Sequence, residues 1–457
     1  MNKNILRRKI YDQLLEWKNS PIRSPLLLVG ARQVGKTTIL REFALKNSSR
    51  YIEINFWFDK NNKYKNIFKN NGSAIDIIEE LKDLFSIDDF DPQNVCFFLD
   101  EIQECPEAYS SLKSFKEQYP ELMVLSTGSY LQLFLKNQKL QKLPIGCVDE
   151  FHLRPLCFEE FLENTIPEIY KKYLNLDPNQ FKITETLHSK IMEKLNEYIF
   201  TGGLPEIVNL YINSPKNMKT RHSIRQKQKN LLKQYTDDFQ KYGKSVHIKK
   251  IDKLFQNIPF QLERNHEDTT KRFNYKELGK NANYNAFHWS FNYLEQAGLI
   301  IRSFIVSKKD LPFQVHEKIE QRNIFKCYYF DIGLLNAILN TPLDTILNNF
   351  GSYKGFIAEN FIGQEIYMRQ NQKLISYKKN NKGDAAKIEF LLTNNSGEII
   401  PIEVKSSYKA LKAKSLENFV KEFSSNKAFK FVPTRYHKSK EYTSIPLYMI
   451  GKILKEL

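Results

Sequence analysis

Gly30-Ala31-Arg32-Gln33-Val34-Gly35-Lys36-Thr37 decides how the first part of this 457-residue chain folds. The octapeptide follows the apolar run Leu26 to Val29 and opens onto a helix-like stretch beginning Thr38-Ile39-Leu40. In that strand–loop–helix setting a GxxxxGK[ST] string is a phosphate-cradling loop. Its glycines let the backbone approach the ligand, and its N–H groups converge on anionic oxygens at a helix N-terminus. The loop, Gly30, Ala31, Arg32, Gln33, Val34, Gly35, Lys36, Thr37 and Thr38, is therefore expected to hold ATP. Lys36 would reach the β- and γ-phosphates, and the Thr37 hydroxyl would ligate Mg²⁺. A bare glycine turn between strand and helix would need neither the lysine nor the hydroxyl.

A partner element lies downstream. Val95-Cys96-Phe97-Phe98-Leu99 is a continuous apolar run ending in Asp100 and Glu101, the pattern of a strand buried on both faces. Asp100 is placed to hold a magnesium water shell, and Glu101, pointing to the other side, to deprotonate an attacking water. A third strand, Leu122 to Ser129, ends in hydroxyls, and either Thr127 or Ser129 could contact the γ-phosphate. Tyr51 to Asn55 reads as a further strand and Ser73 to Phe85 as a helix, so the alternation predicts a parallel, doubly wound sheet.

Bulk properties bound the remaining possibilities. The chain is long enough for several domains with their own cores. It has no secretion-signal pattern and no apolar run long enough to cross a membrane, so no membrane partner is expected. The five cysteines, Cys96, Cys105, Cys147, Cys157 and Cys327, have no metal-site spacing and suit a reducing cytoplasm. A formal charge of +17 favours a polyanionic partner such as DNA.

The organisation predicted is an N-terminal helix over 1–25, the ATP-binding core over 26–156, and a helical lid over 157–213. A basic linker and winged-helix module follow over 214–330, and a nuclease-like domain over 331–457. In the linker, Lys219, Arg221, Arg225, Lys227, Lys229 and Lys233 are either a solvated helix face or a polyanion track. Beyond it, Tyr284 to Gln296 reads as the second helix of a helix–turn–helix, with Phe287, Phe291 and Leu294 inward. Asn285, His288, Asn292 and Gln296 lie on its other faces, and Leu299 to Val306 would form a wing. Such modules read DNA or bind protein.

In the last part, Lys387 to Leu392 and Ile399 to Lys405 read as a hairpin around Ser396-Gly397, after a helix carrying Glu359 and Glu365. The hairpin brings Glu389, Glu403 and Lys405 together, with Glu403 and Lys405 on one face. Two such acids can hold Mg²⁺ at a phosphodiester, and a lysine can stabilise its charge. The alternative is an ordinary exposed ion pair; the preceding acidic strand and the helical Glu359 favour a nuclease-like fold.

Taken in order, GARQVGKTT (Gly30–Thr38), FLDEIQ (Phe98–Gln103), STGS (Ser126–Ser129), RPLCFEEFL (Arg154–Leu162) and TGGLPEIV (Thr201–Val208) carry a resemblance. YYFDIGLL (Tyr328–Leu335), GFIAENFIGQEI (Gly355–Ile366) and IEFLL…IPIEVKSS (Ile388–Ser407) complete it. The chain resembles a prokaryotic family of AAA-type ATPases whose C-terminal half is a domain of unknown function. That resemblance implies ATP hydrolysis at Lys36, Thr37, Asp100 and Glu101. It also implies a restriction-endonuclease-like core of PD-(D/E)xK type, with Glu389, Glu403 and Lys405 in the active-site pattern. Two positions depart from the family: Cys147 stands where an arginine is common, so that Arg154 or Arg32 would replace it, and Glu389 stands where aspartate is usual.

The fold expected is thus multidomain α/β: a P-loop NTPase with parallel sheet and helical lid, a winged-helix module, and an α/β nuclease-like core. The leading functional reading is a cytoplasmic Mg²⁺-dependent ATPase, self-associating or not, that couples nucleotide state to a DNA-directed module. The rival is a nucleotide-gated switch for protein partners with an inert nuclease-like core.

Overall fold

A computed structural model describes residues 5–129, 144, 146–178, 183–240, 245–264, 272–311, 323–342, 345–346, 355–370, 373–379, 387–406 and 413–457. The chain forms two compact units, Met1–Arg154 and Pro155–Leu457.

The first unit opens with helix α1 (Ile10–Asn19), which buries Ile10, Leu14 and Trp17. Trp17 Nε1 donates to Ser24 O at 3.0 Å and to Asp149 Oδ2 at 3.1 Å, tying the helix to the sheet. The sheet contains β1 (Leu26–Val29), β2 (Arg50–Asn55), β3 (Val95–Asp100), β4 (Met123–Gly128) and β5 (Asp149–His152). All pairings are parallel, in the order β2-β3-β4-β1-β5. Strands β3 and β4 are buried at every residue, as the uninterrupted apolar runs require. Helices α2 (Lys36–Asn47), α3 (Lys63–Asn70), α4 (Ala74–Phe85) and α5 (Pro106–Gln118) make the crossovers. Ser73 caps α4 by accepting from Asp76 N, and Pro106 starts α5. Leu27, Ile54, Phe97, Leu99 and Val124 pack with Ile77, Leu81, Leu112 and Phe115 in one core. Because the strands run parallel, the chain leaves β1, β3 and β4 at the same sheet edge. Ligands of such sheets bind there.

The second unit begins with α6 (Phe158–Thr165), α7 (Pro167–Leu174), α8 (Glu185–Thr201), α9 (Pro205–Ile212), α10 (Met218–Phe239) and α11 (Ser245–Arg264). A 3-10 turn (Tyr275–Leu278) and α12 (Tyr284–Gln296) precede β6 (Ile300–Val306), β7 (Phe325–Tyr329), α13 (Ile332–Ile338) and α14 (Gly355–Arg369). The chain continues through β8 (Leu374–Lys378), β9 (Lys387–Thr393), β10 (Ile399–Val404), α15 (Lys414–Phe423) and β11 (Phe429–Val432). It ends with β12 (His437–Lys438), β13 (Thr443–Pro446) and α16 (Ile450–Ile453). The strands form one mixed sheet ordered β12-β13-β11-β10-β9-β8-β6-β7.

Two features differ from the sequence reading. The strand expected as a wing, β6, pairs antiparallel with β7 and parallel with β8, and so lies inside the mixed sheet. Its physical reason is burial: all of β6 except Ile305 is buried, which a two-stranded ribbon facing solvent could not provide. The helices read as a lid are built into the second unit by buried polar bonds. Phe158 N donates to Glu365 Oε1 at 2.8 Å, Arg369 meets Glu159 at 3.0 Å, and Gln364 donates to the Tyr198 hydroxyl at 2.9 Å. The hairpin itself is as read: β9 and β10 are antiparallel, with Phe390 opposite Ile402.

Candidate nucleotide site and acidic cluster

In the first unit, the loop between β1 and α2 bends through Gly30 at φ 153°, Gln33 at 67° and Gly35 at 97°. A Cβ on Gly30 would stand 2.1 Å from Leu153 O, so only glycine fits beside β5's exit. Lys36 is buried and donates from Nζ to Gly30 O and Ala31 O, each at 3.0 Å. Burial lowers its pKa to about 8, with Arg32 adding to the effect and Glu101 and Asp100 opposing it. Arg8, which the sequence reading passed over, donates to Val34 O at 3.0 Å and to Arg154 O at 2.6 Å. Thr38 is exposed on the first turn of α2.

The strand ends complete the arrangement. Thr37 Oγ1 donates to Asp100 Oδ1 at 2.9 Å, across 63 residues of sequence. Thr127 Oγ1 donates to the same oxygen at 2.5 Å and accepts from Glu101 N at 3.0 Å. Asn55 Nδ2 donates to Asp100 Oδ2 at 2.7 Å. Burial raises the Asp100 pKa, and the Thr127 and Thr37 hydroxyls pull it back. Glu101 turns through the left-handed region at φ 54°, which sends its side chain away from the line of β3. Gln103 Nε2 donates to Glu101 Oε2, and Ser129 N donates to Gln103 Oε1 at 3.2 Å. Ser129 Oγ is buried with no hydrogen-bond partner among the described residues. Lys36, Thr37, Asp100, Glu101 and Ser129 are thus gathered at one sheet edge. Asn55, Gln103 and Arg8 join them. The signal for Asn55 and Gln103 was their position at or just past strand ends.

Hard oxygen donors suit magnesium, which keeps several waters and takes one or two protein ligands beside phosphate oxygens. The Thr37 hydroxyl and the Asp100 carboxylate fit that description. In the same unit, Arg32 lies over the Trp57 ring, 5.9 Å from its centroid. Cys147 is half-buried.

In the second unit, Glu389 and Glu403 face each other across β9 and β10, with Glu359 contributed by α14. All three are buried, and each is paired with lysine. Lys326 Nζ meets Glu359 Oε1 at 2.5 Å, Lys387 meets Glu389 Oε1 at 3.3 Å, and Lys405 meets Glu403 Oε1 at 2.7 Å. Tyr328 donates to Glu359 Oε1 at 2.7 Å. Burial alone would raise the Glu389 pKa, but Lys387, Lys326 and Lys405 together hold it below the usual carboxylate value. Burial raises the Glu403 pKa, which Lys405 opposes. Among the described residues, no group of three or more His, Cys, Asp or Glu side chains is placed to hold a metal ion. Lys387 and Lys405 supply part of the charge complement of Glu389 and Glu403, while Glu403 Oε2 is buried without a hydrogen-bond partner among the described residues.

The basic and helix–turn–helix residues divide similarly. Lys219, Lys229 and Lys233 are exposed along α10, whereas Lys227 pairs with Glu206 at 2.5 Å and Arg225 packs over the Phe200 ring. On α12, Asn285 and Gln296 are exposed, while His288 bonds the Tyr284 hydroxyl at 2.6 Å and Asn292 at 2.9 Å.

A sequence profile described as an AAA domain matches residues 23–162. Residues 23–162 therefore carry an AAA-type domain. Two domains of unknown function, DUF8612 and DUF4143, match residues 192–345 and 354–449. No characterised protein matches the chain in sequence. Among solved structures, the Walker-type ATPase of Pyrococcus abyssi is 15% identical, with 74% of this chain and 97% of that chain covered at a TM-score of 0.45. The Aeropyrum pernix ORC1 protein in complex with DNA is 12% identical, with 76% of this chain and 95% of that chain covered at a TM-score of 0.29. A RuvB variant of Thermotoga maritima is 14% identical, covering 65% and 90% at 0.30. These overlaps are too loose to add to the AAA assignment, which stands on the profile. No helix among the described residues is long and apolar enough to cross a membrane.

Proposed function

We propose that the AAA domain binds and hydrolyses ATP with Mg²⁺, in the cytoplasm, and that its nucleotide state governs what the second unit binds. The observation that carries this reading is the 2.9 Å bond between Thr37 and Asp100, which joins the phosphate loop to the acidic strand end. Magnesium bound there would neutralise charge on the β- and γ-phosphates. The backbone from Gly30 to Thr38 cradles the phosphates, and Lys36 exchanges its two loop carbonyls for phosphate oxygens. Glu101 orients a water and accepts its proton as the water oxygen bonds to the γ-phosphorus and the β–γ bridge breaks. Ser129 Oγ, buried beside this edge, is available to a γ-phosphate oxygen.

Turnover measured with and without EDTA, for wild type and Lys36→Ala, tests the assignment. Loss of activity on chelation and in the variant is expected; an unchanged rate in the variant would sink it.

For the second unit, the +17 charge and the exposed lysines of α10 support DNA as the partner. Affinity should then fall steeply with salt, because bound phosphates displace counterions. Salt-independent binding, or none at low ionic strength, counts against it. The lysine pairing of Glu359, Glu389 and Glu403 favours the version of this reading in which the core binds without cleaving.

A further inference from the structure

We infer that Gln103 is a positioning residue that holds Glu101 for proton transfer and ties it to the end of β4. The inference rests on the ATPase reading above and specifies how its general base is kept in place.

Gln103 sits just past the acidic doublet, in a 3-10 turn (Ile102–Glu104), and is 1% exposed. Both ends of its amide are engaged. The NH₂ group donates to Glu101 Oε2, and the carbonyl accepts from Ser129 N at 3.2 Å. Only a side chain with a donor and an acceptor on one rigid fork satisfies both contacts in a buried place, where an unmet polar group is costly.

The two contacts lead to the two halves of the proposed chemistry. Gly128 pairs with Val29, so Ser129 stands beside Gly30, where the phosphate loop begins. Glu101 leaves the strand at φ 54°, a conformation its backbone does not favour, and its N–H is held by Thr127. The backbone bond fixes the turn but leaves the carboxylate free to rotate. The Gln103 amide fixes the carboxylate, committing Oε2 to the amide and Oε1 to the water. A shift of the β4 end on γ-phosphate binding would pass through Gln103 to the base.

The test compares Gln103→Met, Gln103→Glu and Gln103→His with wild type, reading fluorescent-ATP affinity and steady-state turnover between pH 6 and 9. Met keeps the volume and removes both hydrogen bonds; kcat should fall about ten- to a hundredfold while affinity stays within about twofold. Glu puts a second carboxylate against Glu101 in place of the amide donor, so kcat should fall at least as far as with Met, with affinity again within about twofold. His retains one donor and one acceptor and should recover part of the rate.

A Met variant with wild-type kcat overturns the inference, as does an affinity loss equal to the rate loss. A Glu variant with wild-type kcat overturns it too, even where the Met variant fails to fold. Wild-type protein without ATP turnover would defeat the ATPase reading itself. Normal wild-type turnover with an indifferent Gln103 defeats this inference alone.

Discussion

Gly203 donates its backbone N–H to Asp331 Oδ2 at 2.7 Å, closing a gap of 128 residues between two turns of the second unit. Asp331 also accepts from Leu334 N at 2.9 Å, capping α13. The approach is close enough that a Cβ on Gly333 would stand 2.5 Å from the Thr201 and Gly202 backbone. Asp331→Ala should therefore leave two buried N–H groups unmet. We expect a loss of about 2–4 kcal/mol in the second unit, read by urea unfolding. A loss under about 0.5 kcal/mol would show that water or a shifted backbone satisfies both groups.

The same carboxyl has a signature in pH. Burial raises the Asp331 pKa from its ordinary 3.8 to about 6, against the pull of the backbone N–H groups. A folded pKa above the unfolded one means that the native state binds the extra proton between these values. Stability from this group should fall as pH rises from about 4 to 6 and then level off. Subtracting the unfolding profile of Asp331→Asn from that of the wild type isolates the slope, and a difference flat across that window would contradict it.

Much of the first unit was legible because its chemistry lies in short, contiguous strings. The Gly30 to Thr37 loop, the apolar run before Asp100 and the hydroxyl-ended strand at Ser129 each declare a strand end, and parallel pairing forces those ends to one edge. Gln103 and Asn55 were not assigned roles, since a single amide in a sequence carries no mark of what it bridges. The fate of β6 was hidden for a different reason. A buried strand after a helix looks the same whether it pairs locally or with β8, some 70 residues on, and only the sheet order decides. The acidic strands around Glu389 and Glu403 were recognised, but Lys326 lies on β7, far away in sequence, and its pairing with Glu359 could not be read.

Lys36 gives a pH prediction for the nucleotide site. With its pKa lowered to about 8, the unliganded lysine loses its proton near that pH, whereas a lysine against a triphosphate keeps it. Binding must then take up a proton above pH 8, and the apparent Kd for ATP should rise by up to about tenfold per pH unit there. Calorimetry at pH 9 in buffers of different ionisation enthalpy should report close to one proton taken up. No uptake would mean that the lysine is charged before the nucleotide arrives.

Thr127 serves both acids at once, donating to Asp100 and accepting from Glu101 N. Valine keeps the shape and removes both bonds. Thr127→Val should lower kcat by about ten- to a thousandfold, in the range of other lost catalytic hydrogen bonds, with a much smaller change in nucleotide affinity. Equal losses in both quantities would assign the hydroxyl to ground-state binding.

The lysine-paired cluster predicts a particular pattern of stability. Lys326 and Glu359 are both buried, so removing one charge strands the other. Lys326→Met should cost up to about 3–5 kcal/mol, since Glu359 loses its buried ion-pair partner and keeps only the more distant charge of Lys387. Adding Glu359→Gln to that variant should recover part of the loss, because the neutral amide can still accept from Tyr328. A metal-holding cluster would behave oppositely: removing a lysine would raise the affinity for Mn²⁺ without a large loss of stability. Urea unfolding of the two single variants and the double, each with and without Mn²⁺, separates these outcomes. Stabilisation of the wild type by millimolar Mn²⁺ that Glu389→Gln abolishes would overturn the structural assignment of the cluster.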